Sequence, residues 1–147
     1  MKSFESQLTA LTDSTESLCS RAINATFNGE GWTPAIILGH IVDVDTEVWM
    51  VRFEMMVVAL RSAQVTPAFA WWEPDGAQTA EKYATFALDD STALLKQSRK
   101  ELISFLKSLS VSDRSASAMH KAFGPITIES MLQVILDHDE EHRASIG

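Results

Sequence analysis

Apolar residues recur in steps of three and four along four long stretches of this chain, the spacing of one face of an α-helix. Phe4, Leu8, Leu11, Thr15, Leu18, Ala22 and Ala25 keep that spacing with no proline between them. They predict a first helix over about Ser3–Phe27. Asn28-Gly29-Glu30-Gly31 ends it, because glycine accepts the left-handed backbone that follows many helices. Thr33 then supplies an N-cap and Pro34 a first helical residue. The next stripe is Ile37, His40, Ile41, Val44, Val48, Val51 and Met55, which carries a second helix to about Ser62. Gly39 lies inside it, at a cost of up to about 1 kcal/mol against alanine. Close approach of another helix or a ligand would explain it; simple tolerance is the other reading.

Residues 63–89 break the pattern. Pro67, Pro74, Gly76 and the Trp71-Trp72 pair read as irregular structure, with a short helix at about Thr79–Ala87. A third long helix starts at Asp89 or Asp90, either of which can cap it, and runs to about Leu109. Its stripe is Leu94, Leu95, Leu102, Phe105, Leu106 and Leu109. Residues 110–117 form a polar loop, and His120–Pro125 is turn-rich. Thr127 caps a last helix whose face carries Ile128, Met131, Ile135, His138, His142 and Ile146.

Each stripe must be covered, so the expected fold is all-α, a four-helix bundle in a single domain over 1–147. The short loop makes the first two helices antiparallel. A second helix of about 28 residues spans about 42 Å. The 63–89 connection can travel that far, which points to a bundle with a long crossover between helices 2 and 3. The 110–126 connection is also long, so spacing alone leaves the topology open.

Charge narrows the partners. The net charge is −8, with 20 acidic and 12 basic residues and no lysine or arginine cluster. Binding to a phosphate backbone or an anionic membrane needs such clusters, so neither nucleic acid nor membrane is an expected partner. Cys19 stands alone, which excludes an intrachain disulfide and fits a reducing cytoplasm. No secretory leader and no run of about 18 apolar residues is evident.

The candidate chemistry lies in the histidines. His138 and His142 are one helical turn apart, so both imidazoles leave one face. His40 extends an apolar stripe on another helix. Buried imidazoles need partners for their ring nitrogens, and three converging rings make a facial metal site with positions open to water or substrate. Convergence requires helices 2 and 4 to be antiparallel. The HxxxH spacing alone is weak, and two solvated histidines near a chain end would look the same.

The motifs together resemble those of the DinB/YfiT-like superfamily. Trp32-Thr33-Pro34, Gly39-His40-Ile41-Val42-Asp43 and Trp49 are similar to its second helix. Phe123-Gly124-Pro125-Ile126-Thr127-Ile128 with His138-Asp139-Glu140-Glu141-His142 is similar to its last. Trp72-Glu73-Pro74 and the Leu95–Leu102 segment with Arg99 add to the likeness. The resemblance implies an up-down-down-up four-helix bundle, often a homodimer. It implies a divalent metal (nickel, zinc or iron) held by His40, His138 and His142. It also implies a small-molecule substrate, and in characterised relatives a low-molecular-weight thiol. The expected activity is metal-dependent thiol S-transfer or hydrolysis, and the alternative is a non-catalytic bundle that binds a small ligand or serves in assembly.

Other residues carry weaker expectations. Asp43 and Glu47 follow His40 on an adjacent helical line and are candidates to orient a ligand or act as general base, against the reading of both as solvated charges. Asp139 and Glu141 are expected to point outward and His120 to be a non-ligand. Arg52 and Arg99 are candidates to pair with a substrate carboxylate or to form ion pairs within the bundle. Trp71 and Trp72 suit a pocket mouth, a dimer contact or ordinary packing.

Overall fold

The computed structural model describes residues 3–146. Helix α1 covers Phe4–Asn24, α2 Pro34–Val44, α3 Met50–Arg61, α4 Gly76–Tyr83, α5 Leu88–Lys107 and α6 Ile128–Ser145. A π-helical turn, Asp45–Trp49, joins α2 to α3. Three short strands, β1 (Ala68–Phe69), β2 (Ser117–His120) and β3 (Gly124–Thr127), form one sheet in that order. The chain is therefore mostly helical, as expected, but not all-α.

Ser3 caps α1 through its side chain, and Phe4, Leu8, Leu11, Thr15, Leu18 and Ala22 are buried along one face. The helix stops at Asn24, three residues short of the expected Phe27. Beyond it an Asx turn takes over, with the Asn28 side chain accepting from the Glu30 amide. Gly29 and Gly31 both adopt positive φ there. At the start of α2, Thr33 accepts from the Ile36 amide and Pro34 occupies the first turn, as the sequence predicts.

The π turn alters the helix beyond it. It adds a residue to one helical turn, so every later side chain rotates relative to a regular α-helix. The expected stripe holds through Val44 and Val48. After the turn Phe53, Met56 and Val57 are buried, while Val51 and Met55 are 43% and 45% exposed. The expectation for those two residues fails because it assumes an unbroken 3.6-residue period.

The 63–89 connection contains β1 and α4. Asp75 caps α4 by accepting from the Ala77 and Gln78 amides, so this helix starts three residues before the expected Thr79. Helix α5 begins at Leu88 with Ala87 in the cap position, and Asp89 and Asp90 fall in its first turn. They favour the positive end of the helix dipole there instead of capping. Leu95, Leu102, Leu106 and Leu109 are buried, but Leu94 is exposed. Strand β2 pairs parallel to β1, with Phe69 opposite His120, and antiparallel to β3. Strands of two to four residues are too short to show a period. In β2, Ala118 and His120 still alternate inward against exposed Ser117 and Met119.

Helix α1 packs against α5 and α6, and α2 packs against α5 and α4. A reciprocal capping box between Thr127 and Ser130 opens α6. Gly39 faces the Tyr83 ring of α4: a Cβ there would lie 2.5 Å from Tyr83 Cδ2 and Cγ. Close approach of a helix, not tolerance, therefore explains this glycine. Among the described residues no helix is long and apolar enough to cross a membrane.

Candidate metal centre

His40 sits about two turns into α2, and His138 and His142 sit one turn apart near the end of α6. The structure brings the three together. Ring centroids are 4.7 Å apart for His40 and His142, 5.5 Å for His40 and His138, and 4.4 Å for His138 and His142. One nitrogen from each ring can be chosen so that all three lie within 4.8 Å of one another. The Nε2 atoms of His138 and His142 are 3.0 Å apart.

The environment favours neutral rings. Burial, followed by the neighbouring His142 and His138, pushes the pKa of His40 down to about 4. Burial and then His142 push His138 down to about 4 as well, and burial lowers that of His142. Neutral imidazoles offer lone pairs, and a buried nitrogen without a partner is costly. Nδ1 of His40 and Nδ1 of His138 are buried without a hydrogen-bond partner. Nitrogens 3.0 Å apart can both reach one cation at about 2.0–2.1 Å. The three converging rings, their neutrality and the close Nε2 pair thus fit a divalent metal ion.

The cluster forms one wall of a cavity of about 470 Å³, within the range of small-molecule sites. Much of its lining is apolar: Val44 and Val48 from the helix that carries His40, Ile126 from β3, and Met131 and Val134 from α6. Trp32, Trp49, Trp71 and Trp72, all the tryptophans of the chain, line it as well. Trp32 packs 5.2 Å from His40, and Trp49 packs 6.4 Å from His138 with its ring nearly perpendicular. These contacts limit how the imidazoles can turn.

Asp43 and Glu47 do not line this cavity. Asp43 Oδ1 accepts from Tyr83 Oη at 2.6 Å and from Lys82 Nζ at 2.8 Å, which ties α2 to α4. Burial first, and then the bond to Asp43, raises the Tyr83 pKa to about 12, so the phenol stays a donor. Glu47 is exposed on the π turn. The carboxylates that do line the cavity are Glu73, Asp137 and Glu141. His120 also lines it but stays apart from the histidine cluster: its Nδ1 accepts from the amides of Ala122 and Phe123.

Asp139 corrects an expectation. It is fully buried, not outward, and receives both Arg99 Nη1 and Nη2, at 2.6 and 2.7 Å. Ser14 on α1 donates to the same carboxylate. Arg99 Nε donates to Asp45 at 2.7 Å, and Ser98 also bonds Asp45. Burial alone would lower the Arg99 pKa, but Asp45 and Asp139 overcome it and raise it. This network joins α1, α5, α6 and the π turn directly behind His138. Arg99 was legible as an ion-pairing candidate, but its buried partners were not, because Asp45 and Asp139 lie 54 and 40 residues away on other elements.

The comparisons with known proteins agree with this architecture. YfiT from Bacillus subtilis, described as a probable metal-dependent hydrolase with an unusual four-helix bundle topology, superposes with a TM-score of 0.74 at 20% identity. The match covers 97% of this chain and 83% of that one. A mycothiol-dependent maleylpyruvate isomerase superposes with a TM-score of 0.67 at 13% identity. That match covers 99% of this chain but only 61% of the isomerase. A mutant of the same isomerase gives 0.68 at 14% identity, with the same coverage. No curated protein matches the chain. The sequence matches the profile of the DinB superfamily over residues 3–146, and the chain therefore belongs to the DinB superfamily.

Proposed function

We propose that this protein is a divalent-metal-dependent enzyme acting on a small molecule, with His40, His138 and His142 as metal ligands. The observation that carries the reading is the convergence of three neutral imidazoles on the wall of a largely apolar cavity. A divalent ion such as nickel, zinc or iron would supply Lewis acidity there, bringing water or a thiol toward deprotonation near neutral pH. The described relatives, a probable hydrolase and a mycothiol-dependent isomerase, support hydrolysis and thiol chemistry as the two reaction classes.

The chain's own residues divide the remaining work. Trp32 and Trp49 restrict the imidazoles, and all four tryptophans line the cavity where the substrate would lie. Glu141 lines the cavity next to His142 in the chain, so we assign it the proton-accepting role. Asp43 receives a positioning role, holding α4 and Tyr83 against the segment that carries His40. Glu47, exposed, receives none. An up-down-down-up helix order accompanies this reading, since a ligand two turns into the helical path that runs from Pro34 to Arg61 meets ligands near the end of α6 when the two run antiparallel. A homodimer is the assembly we expect.

The test is elemental analysis of untagged protein beside a His138→Ala/His142→Ala variant. About one equivalent of metal in the wild type, absent from the variant, is the expected result. No metal in either after exposure to zinc, nickel and iron would end the enzyme reading and leave a non-catalytic, small-ligand-binding bundle.

A further inference from the structure

The cavity has a second polar end, at Arg52. This residue lines it from α3, on the same continuous helical path as His40 but twelve residues later, about 18 Å along the axis. Val44, Val48 and Trp49 line the wall between them. The Arg52 guanidinium lies 4.9 Å from the Phe69 ring centre, and its Nη2 donates to the Ala70 carbonyl at 2.7 Å. That is its one hydrogen bond among the described residues, which leaves donors of a five-donor fork uncommitted.

No carboxylate pairs with Arg52 among the described residues; Arg61, Arg99, Arg114 and Arg143 have at least one each, and Arg21, which has none, lies outside this cavity and bonds the Ile146 carbonyl. Arg52 is half-buried, and burial pulls its pKa down. A partly desolvated guanidinium without an anion, in a chain of net charge −8, is a recognition group awaiting one. Glu73, Asp137 and Glu141 line the same cavity and disfavour a multiply charged anion such as a phosphate. A planar carboxylate with one charge fits the guanidinium fork.

We propose that the cavity binds an elongated small molecule whose single carboxylate rests on Arg52 and whose apolar or aromatic body lies along the tryptophans toward the histidines. This inference rests on the reading of the cavity as a substrate site and names the class of substrate.

All four tryptophans line the cavity, so their fluorescence reports occupancy. The full chain would be titrated with 4-phenylbutyrate and with uncharged 4-phenylbutanol, both zinc-loaded and after chelation. The wild type should bind the acid about tenfold or more tightly than the alcohol, the preference expected of a charge-assisted pair. Arg52→Gln should abolish that preference and leave the alcohol unchanged; Arg52→Lys should keep part of it. The preference should persist in chelated protein, so failure of metal binding and failure of this site are separable. Four results would each overturn the proposal: no binding of either probe, equal binding of both by the wild type, a preference that survives Arg52→Gln, or a preference that vanishes with the metal. The last would place the carboxylate at the histidines.

Discussion

Replacing Gly39 with alanine tests the packing that seats His40. In a regular helix this change is favourable by about 1 kcal/mol. Here the new Cβ would lie 2.5 Å from two Tyr83 ring atoms and 2.6 Å from a third, about 1 Å inside ordinary contact. The ring has little freedom to retreat. Tyr83 is only 3% exposed, packs 4.9 Å from the Phe86 ring, and donates from its hydroxyl to Asp43 at 2.6 Å. Overpacking of this kind costs about 1–3 kcal/mol, and a strained or broken bond to a carboxylate about 1.5 kcal/mol more. The net expectation for Gly39→Ala is a loss of about 2–3 kcal/mol, or about 5–10 °C in Tm for a chain of this length. Urea unfolding followed by circular dichroism measures it. The same change in a Tyr83→Ala background should be neutral or stabilising, because the obstacle is gone. Gly39→Ala as stable as the wild type would refute the reasoning, and so would an equal loss in both backgrounds.

Removing the buried guanidinium by Arg99→Met leaves Asp45 and Asp139 without a counter-charge and should cost about 3–5 kcal/mol in urea unfolding. The triple variant Asp45→Leu/Arg99→Met/Asp139→Leu should recover much of that, and a single variant within about 1 kcal/mol of wild type would contradict the network's role. In metal-free protein His40 and His138 have folded pKa values near 4 against about 6.5 unfolded. The unfolded chain then binds more protons between those values, so stability is full above about pH 6.5 and falls toward pH 4. Unfolding in chelator at pH 7.5 and 4.5 should show this loss, and a His40→Asn/His138→Asn variant should flatten it; identical slopes in both proteins would refute the assignment. Burial raises the Cys19 thiol pKa, and the side chain is buried, so iodoacetamide at pH 8 should label it slowly until urea unfolds the chain. Rapid labelling of the native protein would count against this packing.

The long helices were legible because burial imposes a period that survives over five or more turns. All seven residues of the first stripe lie buried or half-buried, and Thr33, Pro34 and Thr127 start their helices as read. What was hidden has local causes. The sheet is built from strands too short for alternation to register. The Asp75 cap of α4 sits in a Pro-Asp-Gly sequence that reads equally well as a turn. Asp139, between two site histidines, looked like an outward charge because nothing in the local sequence announces a buried arginine forty residues away.

The π turn is a further hidden feature, and it bears on the site. Read as regular α-helix, residues 34–62 place Val51 and Met55 inward with His40. Asp45 lies one regular turn after buried Ile41 and faces the bundle, where Arg99 clamps it to Asp139, the neighbour of His138. The turn that follows shifts the phase of the later residues and leaves Arg52 lining the far end of the cavity. One local change of helical pitch therefore orients the wall along which a substrate would lie, next to the carboxylate that shares Arg99 with α6. The three histidines could be found from stripes on two helices because side chains that meet inside a bundle must sit on inward faces. The wall beyond Trp49 depends on a phase shift within one helical path, and a single 3.6-residue period read along the side chains does not reveal where the backbone bonding changes.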